Sequence, residues 1–333
     1  MGGSDPETSA PAEGAAEARA VGEARPPDAD ELANQRAALE ASGDYRVLER
    51  LKRVERYHPA PRAGAEPLLL GLYLDVETTG FSWERDRVIE LAFVAFEFDK
   101  SGRIYRLLEV VDEYEDPGRP IPPEITRLTG ISDEMVSGKR LDEEKIRHWL
   151  GQAQLVIAHN AAFDRPFAER RLSDFEAKAW ACSMRDVDWS GEGLESSKLE
   201  YLAYKRGFFY DTHRASNDCL AGVHLLSMNL PGSGQGTLAA LLQSARRPTA
   251  RIWAVASPFE SKDLLRERGY RWNAEIKAWF GDVGAEQRDA ELAWLGEKVY
   301  PRGRKPLPCL NITARERYSQ RVPDAPPTGT PLL

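Results

Sequence analysis

Short apolar runs that end in turn residues occupy the middle of the chain, and they predict the strands of a sheet. The run LLLGLYLDVETTG, which starts at Leu68, has the length and composition of a buried strand. VIELAFVAFEFD follows it, and a turn at residues 100–103 separates that segment from IYRLLEVVDEY, as in a hairpin. QLVIAHN is a further short apolar run, so a second buried strand is expected there.

Segments with helical spacing alternate with the later strands. IPPEITRLTGISDEMV and LDEEKIRHWLG each carry helix start and stop signals, and Pro166 is expected to open a third helix. KLEYLAYKRG and ASNDCLAGVHLLSM complete the series. Strands that come first and then alternate with helices predict an α/β domain with a mixed sheet.

The flanking segments differ from this domain in composition. An Ala-, Glu- and Pro-rich start cannot bury enough surface to order itself, and NLPGSGQG is typical of a flexible linker. RIWAVA, ESKDLLRERG and YRWNAEIKAWF, with a second helix after them, predict a small module. The predicted divisions are a disordered acidic tail (1–30), a helical extension (31–66), the α/β domain (67–230), a linker (231–250), a small basic Trp-rich α+β module (251–322) and a loose tail (323–333).

Charge is distributed unevenly along the chain, which carries −8 overall. Residues 1–32 carry −6 and residues 33–230 carry −7, whereas residues 231–333 carry +5. An acidic middle can still bind a polyanion if its carboxylates hold divalent cations, because the ions reverse the local field. The three cysteines are far apart and suit neither a disulfide framework nor a zinc site, and long apolar runs are missing, so we expect a cytoplasmic protein without a membrane partner.

Asp75 and Glu77 stand at the end of the first apolar strand. Residues two apart in a strand share a face, so both carboxylates point the same way. They repel each other and are costly to desolvate, and a divalent cation such as Mg²⁺ or Mn²⁺ relieves both problems. A strand end that emerges into water is the simpler alternative for an isolated pair.

Two later segments carry further candidate groups. In HNAAFD, Asp164 follows a strand and precedes a helix, so it serves either as a helix cap or as a ligand. In HRASND, His213 is expected in a loop and Asp218 in the first turns of a helix, on the side that faces the sheet. A histidine there can take a proton from water, and the alternative for a lone loop histidine is an ordinary surface residue.

The ordered motifs DxETTG, HNxxFD and HxxxxD together resemble the DEDDh exonucleases, the superfamily of the epsilon proofreading subunit and RNase T. The resemblance covers residues 68–228, and it implies a ribonuclease H-like fold with a mixed five-stranded sheet and flanking helices. Asp75, Glu77, Asp164 and Asp218 match the family's metal-site carboxylates, and His213 matches its general base. Two Mg²⁺ ions per site, replaceable by Mn²⁺, would then serve both ends of an in-line displacement.

The resemblance also implies a substrate pocket. The stretch after the first motif, Thr78, Thr79, Gly80 and Phe81, would line the site of the terminal nucleotide, with Gly80 permitting close approach of the backbone. Phe81 either stacks on a base or belongs to the core. His159 and Asn160 would touch substrate or orient the site.

The C-terminal module interleaves Trp253, Trp272, Trp279 and Trp294 with basic residues. Such tryptophans either build a small core or stack on a single strand, and we expect the core reading for most of them.

These features together predict a metal-dependent 3′→5′ exonuclease that acts on DNA 3′ ends, single-stranded by preference, in replication proofreading or repair. Trimming of RNA ends is the alternative within the same chemistry, and a non-catalytic nucleic-acid-binding subunit is the alternative outside it. The acidic tail and the C-terminal module could dock a replication or repair partner.

Overall fold

The structure, a computed structural model, describes residues 28–62, 64, 66–303 and 306–326. The chain forms two compact units, Met1–Val47 and Leu48–Leu333. In the first unit, one helix covers Ala29–Ala41, and the carboxylate of Asp28 accepts a hydrogen bond from the Glu31 N–H (3.0 Å) at its start. Residues 28–30 of the predicted disordered tail (1–30) therefore belong to the start of this helix, and residues 1–27 lie outside the described part.

The described helices and strands alternate along the second unit. The strands are β1 (Glu49–Arg50), β2 (Leu69–Thr78), β3 (Val88–Phe98), β4 (Ile104–Tyr114), β5 (Leu155–Ala158), β6 (Trp180–Cys182), β7 (Phe208–Phe209), β8 (Thr249–Ala254), β9 (Arg271–Asn273), β10 (Ala278–Gly284) and β11 (Cys309–Ile312). The α-helices are α1 (Ala29–Ala41, in the first unit), α2 (Pro123–Thr129), α3 (Asp133–Val136), α4 (Glu143–Gln152), α5 (Ala161–Arg171), α6 (Leu199–Lys205), α7 (Ala215–Ser227), α8 (Thr237–Arg246), α9 (Lys262–Glu267) and α10 (Arg288–Lys298).

A five-stranded mixed sheet organises the large domain, with the order β4-β3-β2-β5-β6. The first three strands are antiparallel, and β5 and β6 run parallel to β2. Alternate residues of β2 enter two separate cores, because Tyr73 packs with α6, α7 and α8 while Leu72 and Leu74 pack with α4 and α5. This confirms the predicted α/β class and the ribonuclease H-like sheet with helices on both faces.

Two flanking predictions are wrong where long-range contacts override local spacing. The helical extension (31–66) ends at Ala41, and the later leucines lie in extended chain: the Leu51 N–H donates to the Phe209 carbonyl oxygen (2.8 Å), which pairs β1 with β7. The linker (231–250) contains α8, because Leu238, Leu241 and Leu242 form a helical apolar stripe that is buried in the domain core.

The C-terminal module is a four-stranded antiparallel sheet, order β11-β8-β10-β9, as the predicted α+β class requires. Its small core includes Ile252, Leu265 and Leu295 from the sheet and from α9 and α10. Trp253 is fully buried, and its indole N–H donates to the Asp324 carbonyl oxygen (2.9 Å). The tail predicted to be loose from residue 323 is therefore anchored at least as far as Asp324.

The segment after β11 leaves the module and docks on the large domain. Arg165 of α5 is fully buried, and its guanidinium group donates to the carbonyl oxygens of Arg315 and Arg317 and to Glu169 (2.6 Å). Ser319 donates to the other Glu169 oxygen (2.7 Å). Residues 313–321 therefore belong to the large domain, which differs from the predicted module boundary at residue 322.

Within the part of the chain that the structure describes, every helix falls short of the length and apolar character needed to cross a bilayer.

We predict that Arg165→Ala destabilises the protein by about 3–5 kcal/mol, because it leaves buried carbonyl oxygens without their donor and removes the buried cation that pairs with Glu169. The matched control is Arg147→Ala on α4, whose pairs with Glu143 and Asp174 are half-exposed and should contribute less than about 1 kcal/mol. Urea unfolding of both variants measures the difference. Equal losses would show that the docked segment adds little to the stability of the fold.

Candidate active site

Two carboxylates project from the end of β2, which extends beyond its parallel neighbour β5. Pairing between β2 and β5 stops at Tyr73, whereas the β2 pairing with β3 continues beyond Glu77. Asp75 and Glu77 lie on the same face as Tyr73 and are half-buried beneath α7. The truncated pairing opens a notch beside this strand end, which other side chains fill.

A glycine brings α7 unusually close to this face. A Cβ atom built on Gly222 would lie 2.0 Å from the Tyr73 ring, so only glycine permits the observed packing. Asp218 stands four residues earlier on the same side of the helix. Carboxylate oxygens of Asp75, Glu77 and Asp218 consequently lie within 4.8 Å of one another.

Asp164 approaches the same strand end from α5, on the other side of the sheet edge. Its Oδ1 accepts a hydrogen bond from the Val76 N–H (3.3 Å), which β5 is too short to reach. The helix begins at Ala161, so the prediction that Pro166 opens it is wrong and the proline lies inside it. Asp164 therefore lies in the first turn of the helix, and Asn160 rather than Asp164 is at its N-cap.

Burial and mutual repulsion make these carboxyl groups poor acids in the metal-free protein. Burial, with the charges of Asp164 and Asp218, raises the pKa of Asp75 well above its usual range. Burial, with the charge of Asp218, raises the pKa of Glu77 to about 8, and burial raises the pKa of Asp164 to about 7. The pKa of Asp218 is also raised by burial. Four carboxyl groups in one place thus carry an unfavourable free energy that a bound cation would offset.

His213 lies at the edge of this cluster in a left-handed turn (φ 61°), with its side chain exposed. Its backbone N–H donates to Asp218 Oδ2 (3.0 Å), and the Tyr210 hydroxyl donates to Asp218 Oδ1 (2.8 Å). The turn thereby fixes the position of Asp218 and leaves the imidazole of His213 accessible to solvent.

The segment after β2 forms a braced loop. Thr78 and Thr79 are buried, and their hydroxyl groups serve the loop itself: Thr78 donates to the Gly80 carbonyl oxygen (2.6 Å), and Thr79 accepts from Arg119 (2.7 Å). Asp86 accepts from Arg119 (2.9 Å) and from the Ser82 N–H (2.8 Å). Both threonine hydroxyl groups thus have partners within the protein, and they support the loop.

Gly80 has a different neighbour from the one expected. A Cβ atom there would lie 2.6 Å from the Asp86 carboxylate, so the glycine admits this side chain rather than a ligand. Phe81, which follows, is 84% exposed, so the core alternative for this residue is wrong. Its ring lies 6.3 Å from the ring of Phe163 on α5, and it stands free at the rim of the carboxylate cluster.

His159 and Asn160 directly follow the strand β5. Both ring nitrogens of His159 are engaged, with Ser183 Oγ (2.9 Å) and with the Ser197 carbonyl oxygen (2.7 Å), and burial lowers its pKa to about 4. His159 therefore holds the strand end in place and is not placed to contact a substrate. The Oδ1 atom of Asn160 is buried and has no hydrogen-bond partner among the described residues, so it remains an acceptor open to a ligand.

Glu90 is a site residue that the sequence analysis overlooked. It lies directly opposite Glu77 in the β2–β3 register and is fully buried. Its carboxylate accepts from the Ala215 N–H (3.1 Å) and pairs with Arg214 (3.2 Å), so it anchors the start of α7 next to His213. A single charged residue in the apolar run VIELAFVAF was the available signal.

The donor set suits a hard divalent cation. Asp75, Glu77 and Asp218 present oxygen atoms alone, which is the chemistry that Mg²⁺ and Mn²⁺ prefer, and Asp164 stands beside them. The close approach of buried acids with raised pKa values is the observation that supports this fit.

Known proteins are similar in sequence to this part of the chain. The RNase T family of exonucleases matches residues 72–226. DNA polymerase III subunit epsilon from Treponema pallidum is 30% identical over 164 residues, which cover 46% of this chain and 73% of that protein. The PolC-type DNA polymerase III of Clostridium perfringens is 34% identical over 165 residues, which are 46% of this chain but only 11% of the polymerase.

Among solved structures, Escherichia coli exonuclease I in complex with a dA16 oligonucleotide is similar with a TM-score of 0.48 and 17% identity, over 72% of this chain and 74% of that one. The match to the epsilon subunit covers most of that protein. The family match, over residues 72–226, spans the motifs that carry the four acids and the histidine. The chain belongs to the DEDDh (DnaQ-like) exonuclease superfamily.

Proposed function

We propose that this protein is a divalent-metal-dependent 3′→5′ exonuclease that removes nucleoside 5′-monophosphates from the 3′ ends of DNA, with single strands preferred. The observation that carries the proposal is the group of Asp75, Glu77 and Asp218 oxygens within 4.8 Å, with Asp164 and His213 beside it. The names of the polymerase III relatives support DNA as the substrate and replication or repair as the setting.

Asp75, Glu77 and Asp218 would hold the metal, with Asp164 completing the site. Bound there, divalent ions supply Lewis-acid stabilisation of the attacking and leaving oxygens. The carboxylates contribute by being preassembled: Tyr210 and the His213 N–H hold Asp218, and the Val76 N–H holds Asp164. The unfavourable free energy of bringing these charges together is therefore offset during folding, before a substrate binds.

His213 is the group placed to accept a proton from water. Its imidazole is exposed at the edge of the carboxylate cluster, while its backbone is tied to Asp218. The imidazole of a histidine at this position can act as general base. Phe81 stands at the rim, where its exposed ring can stack on the terminal base and align the 3′ end.

Product analysis on single strands labelled at either end tests the proposal. Wild-type protein with Mg²⁺ or Mn²⁺ should shorten the strand stepwise from its 3′ end, and EDTA should stop it. Asp75→Asn should lose about a thousandfold or more, since a metal contributes several kcal/mol to the transition state. His213→Ala should lose about a hundredfold to ten-thousandfold.

Asp174→Asn is the control for these variants, because its exposed carboxylate pairs with Arg147 on the distant α4. It should retain full activity. Matched RNA strands on the same gel distinguish an exoribonuclease. Intact DNA and RNA, with binding retained, would contradict the proposal and indicate a non-catalytic binding subunit.

The stability of the protein should depend on pH in opposite ways with and without metal. Raised pKa values mean that the folded metal-free state binds more protons than the unfolded chain, where carboxyl groups titrate near about 4. Metal-free stability is therefore fully present below about pH 4 and falls as the pH rises through about 7–8. Metal binding requires deprotonated carboxylates, so the gain in Tm from Mn²⁺ should increase between about pH 6 and about pH 8.5.

Thermal unfolding with Mn²⁺ or EDTA across this range makes the measurement. Glu77→Gln is the informative variant, because it removes one of the groups whose pKa is raised and should flatten the pH dependence of the metal-free Tm. A gain from Mn²⁺ that stays constant with pH would contradict the assignment of these carboxylates as ligands.

Phe81→Ala should raise KM for single-stranded DNA about five- to a hundredfold, because stacking on one base contributes about 1–3 kcal/mol. Phe259→Ala is the matched control, since Phe259 is 75% exposed but lies in the C-terminal module. Steady-state kinetics on an oligothymidylate compares the two. An equal KM in both variants would exclude Phe81 as a base platform.

A further inference from the structure

A cleft of about 650 Å³ lies between the large domain and the four-stranded sheet, and arginines dominate its charged lining. Five guanidinium groups face it from both domains, together with four carboxylates. The arginines are Arg185, Arg247, Arg251, Arg271 and Arg317. A volume of this size suits one or two nucleotide units, since pockets of roughly 300–1,000 Å³ hold drug-sized ligands.

Two of these arginines form no ion pair among the residues that the structure describes. Arg251 pairs with Asp282 (2.7 Å) and with Asp324 (3.3 Å), Arg271 pairs with Asp282 (3.1 Å), and Arg317 pairs with Asp186 (3.4 Å). The exposed side chains of Arg185 and Arg247 have no partner among the residues the structure describes, and Glu286 is the cleft carboxylate in the same condition there. The unpaired charge in the cleft is thus positive, as a site for anions requires.

The cleft and the carboxylate cluster both adjoin the start of α5. Ala162 lines the cleft, the Phe163 ring lies near the Phe81 ring, and Asp164 accepts from the Val76 N–H at the end of β2. Successive helical residues turn by about 100°, so Ala162 and Asp164 point to roughly opposite sides of α5 and Phe163 points between them. A strand that runs from the cluster to the cleft would therefore pass Phe163.

The lining favours contact with phosphates over contact with bases. The Phe280 ring, near the guanidinium groups of Arg251 and Arg271 (5.0 and 4.6 Å), is buried and lies outside the cleft lining, so it offers no face to a base. Arginine guanidinium groups bind a phosphodiester backbone irrespective of sequence.

We propose that this cleft binds backbone phosphates of the same DNA strand, on the 5′ side of the nucleotide held at the carboxylate cluster, through Arg185 and Arg247. The inference rests on the proposed function, which supplies the strand and its polarity. It gives the C-terminal module a role in substrate binding, because the cleft exists only where the module faces the large domain.

The test measures binding and salt dependence in the full-length Arg185→Glu/Arg247→Glu variant. In EDTA, where the strand stays intact, affinity for a long fluorescent oligothymidylate should fall about tenfold or more. The slope of log K against log salt should become shallower by about 1.4, since each phosphate contact to a single strand contributes about 0.7. Arg185→Gln/Arg247→Gln should act in the same direction with a smaller effect.

Lys262→Glu/Arg266→Glu is the matched control, with the same change in net charge on α9 but outside the cleft lining. It should keep the wild-type salt slope. Equal losses in the two double variants, or an unchanged slope in the cleft variant, would overturn the proposal.

Hydrolysis of the p-nitrophenyl ester of thymidine 5′-monophosphate separates this inference from the proposed function. The ester is too small to reach the cleft, so the cleft variant should hydrolyse it at the wild-type rate. A wild-type protein that leaves the ester and the strands intact would contradict the exonuclease assignment, while the binding experiment would still decide the cleft.

Discussion

Repulsion among buried carboxylates is the constraint on which this site depends. Asp75, Glu77, Asp164 and Asp218 come from β2, α5 and α7, and each element is also fixed by contacts outside the carboxylate cluster. Gly222 lets α7 press against Tyr73, and the short β5 leaves the Val76 N–H to Asp164. The fold therefore imposes an arrangement that the carboxylates alone would avoid. Burial, with repulsion from Asp218, raises the pKa values of Glu77 and Asp164.

Much of this arrangement follows from periodicity. The two-residue repeat of a strand places Asp75 and Glu77 on one face, and the helical repeat turns Asp218 towards the sheet. The α/β class and the separate C-terminal sheet follow from the order of strand-like and helix-like segments. Local patterns suffice here because each side chain is oriented by the element that carries it.

Contacts between segments that are distant in sequence could not be predicted from local periodicity. Arg165 follows Asp164 directly, yet its partners Arg315 and Arg317 come some 150 positions later. Leu238, Leu241 and Leu242 form an apolar helical stripe. The glycines that precede them in the sequence favoured the prediction of a linker instead. The hydroxyl of Thr79 and the ring of His159 looked available for substrate because their partners Arg119 and Ser197 lie far along the chain.

The C-terminal segment links the two parts of the chain physically. It buries the guanidinium group of Arg165 on the helix that carries Asp164, and Asp324 closes on Trp253 in the module. A substrate strand bound in the arginine cleft would contact both parts while its 3′ end lies at the carboxylates. The module is thus positioned by the same segment that supports the catalytic helix.

The central claim is tested most directly by anomalous diffraction from crystals grown with Mn²⁺ at about pH 8. At this pH a metal ion can displace the protons of Glu77 and Asp164, whose pKa values are raised to about 8 and about 7. The account predicts two Mn²⁺ peaks at the end of β2, ligated by oxygens of Asp75, Glu77, Asp164 and Asp218, with Mn–O contacts replacing the repulsion between these groups. An empty carboxylate cluster at a Mn²⁺ concentration that supports strand cleavage, or Mn²⁺ bound elsewhere in the chain, would contradict it.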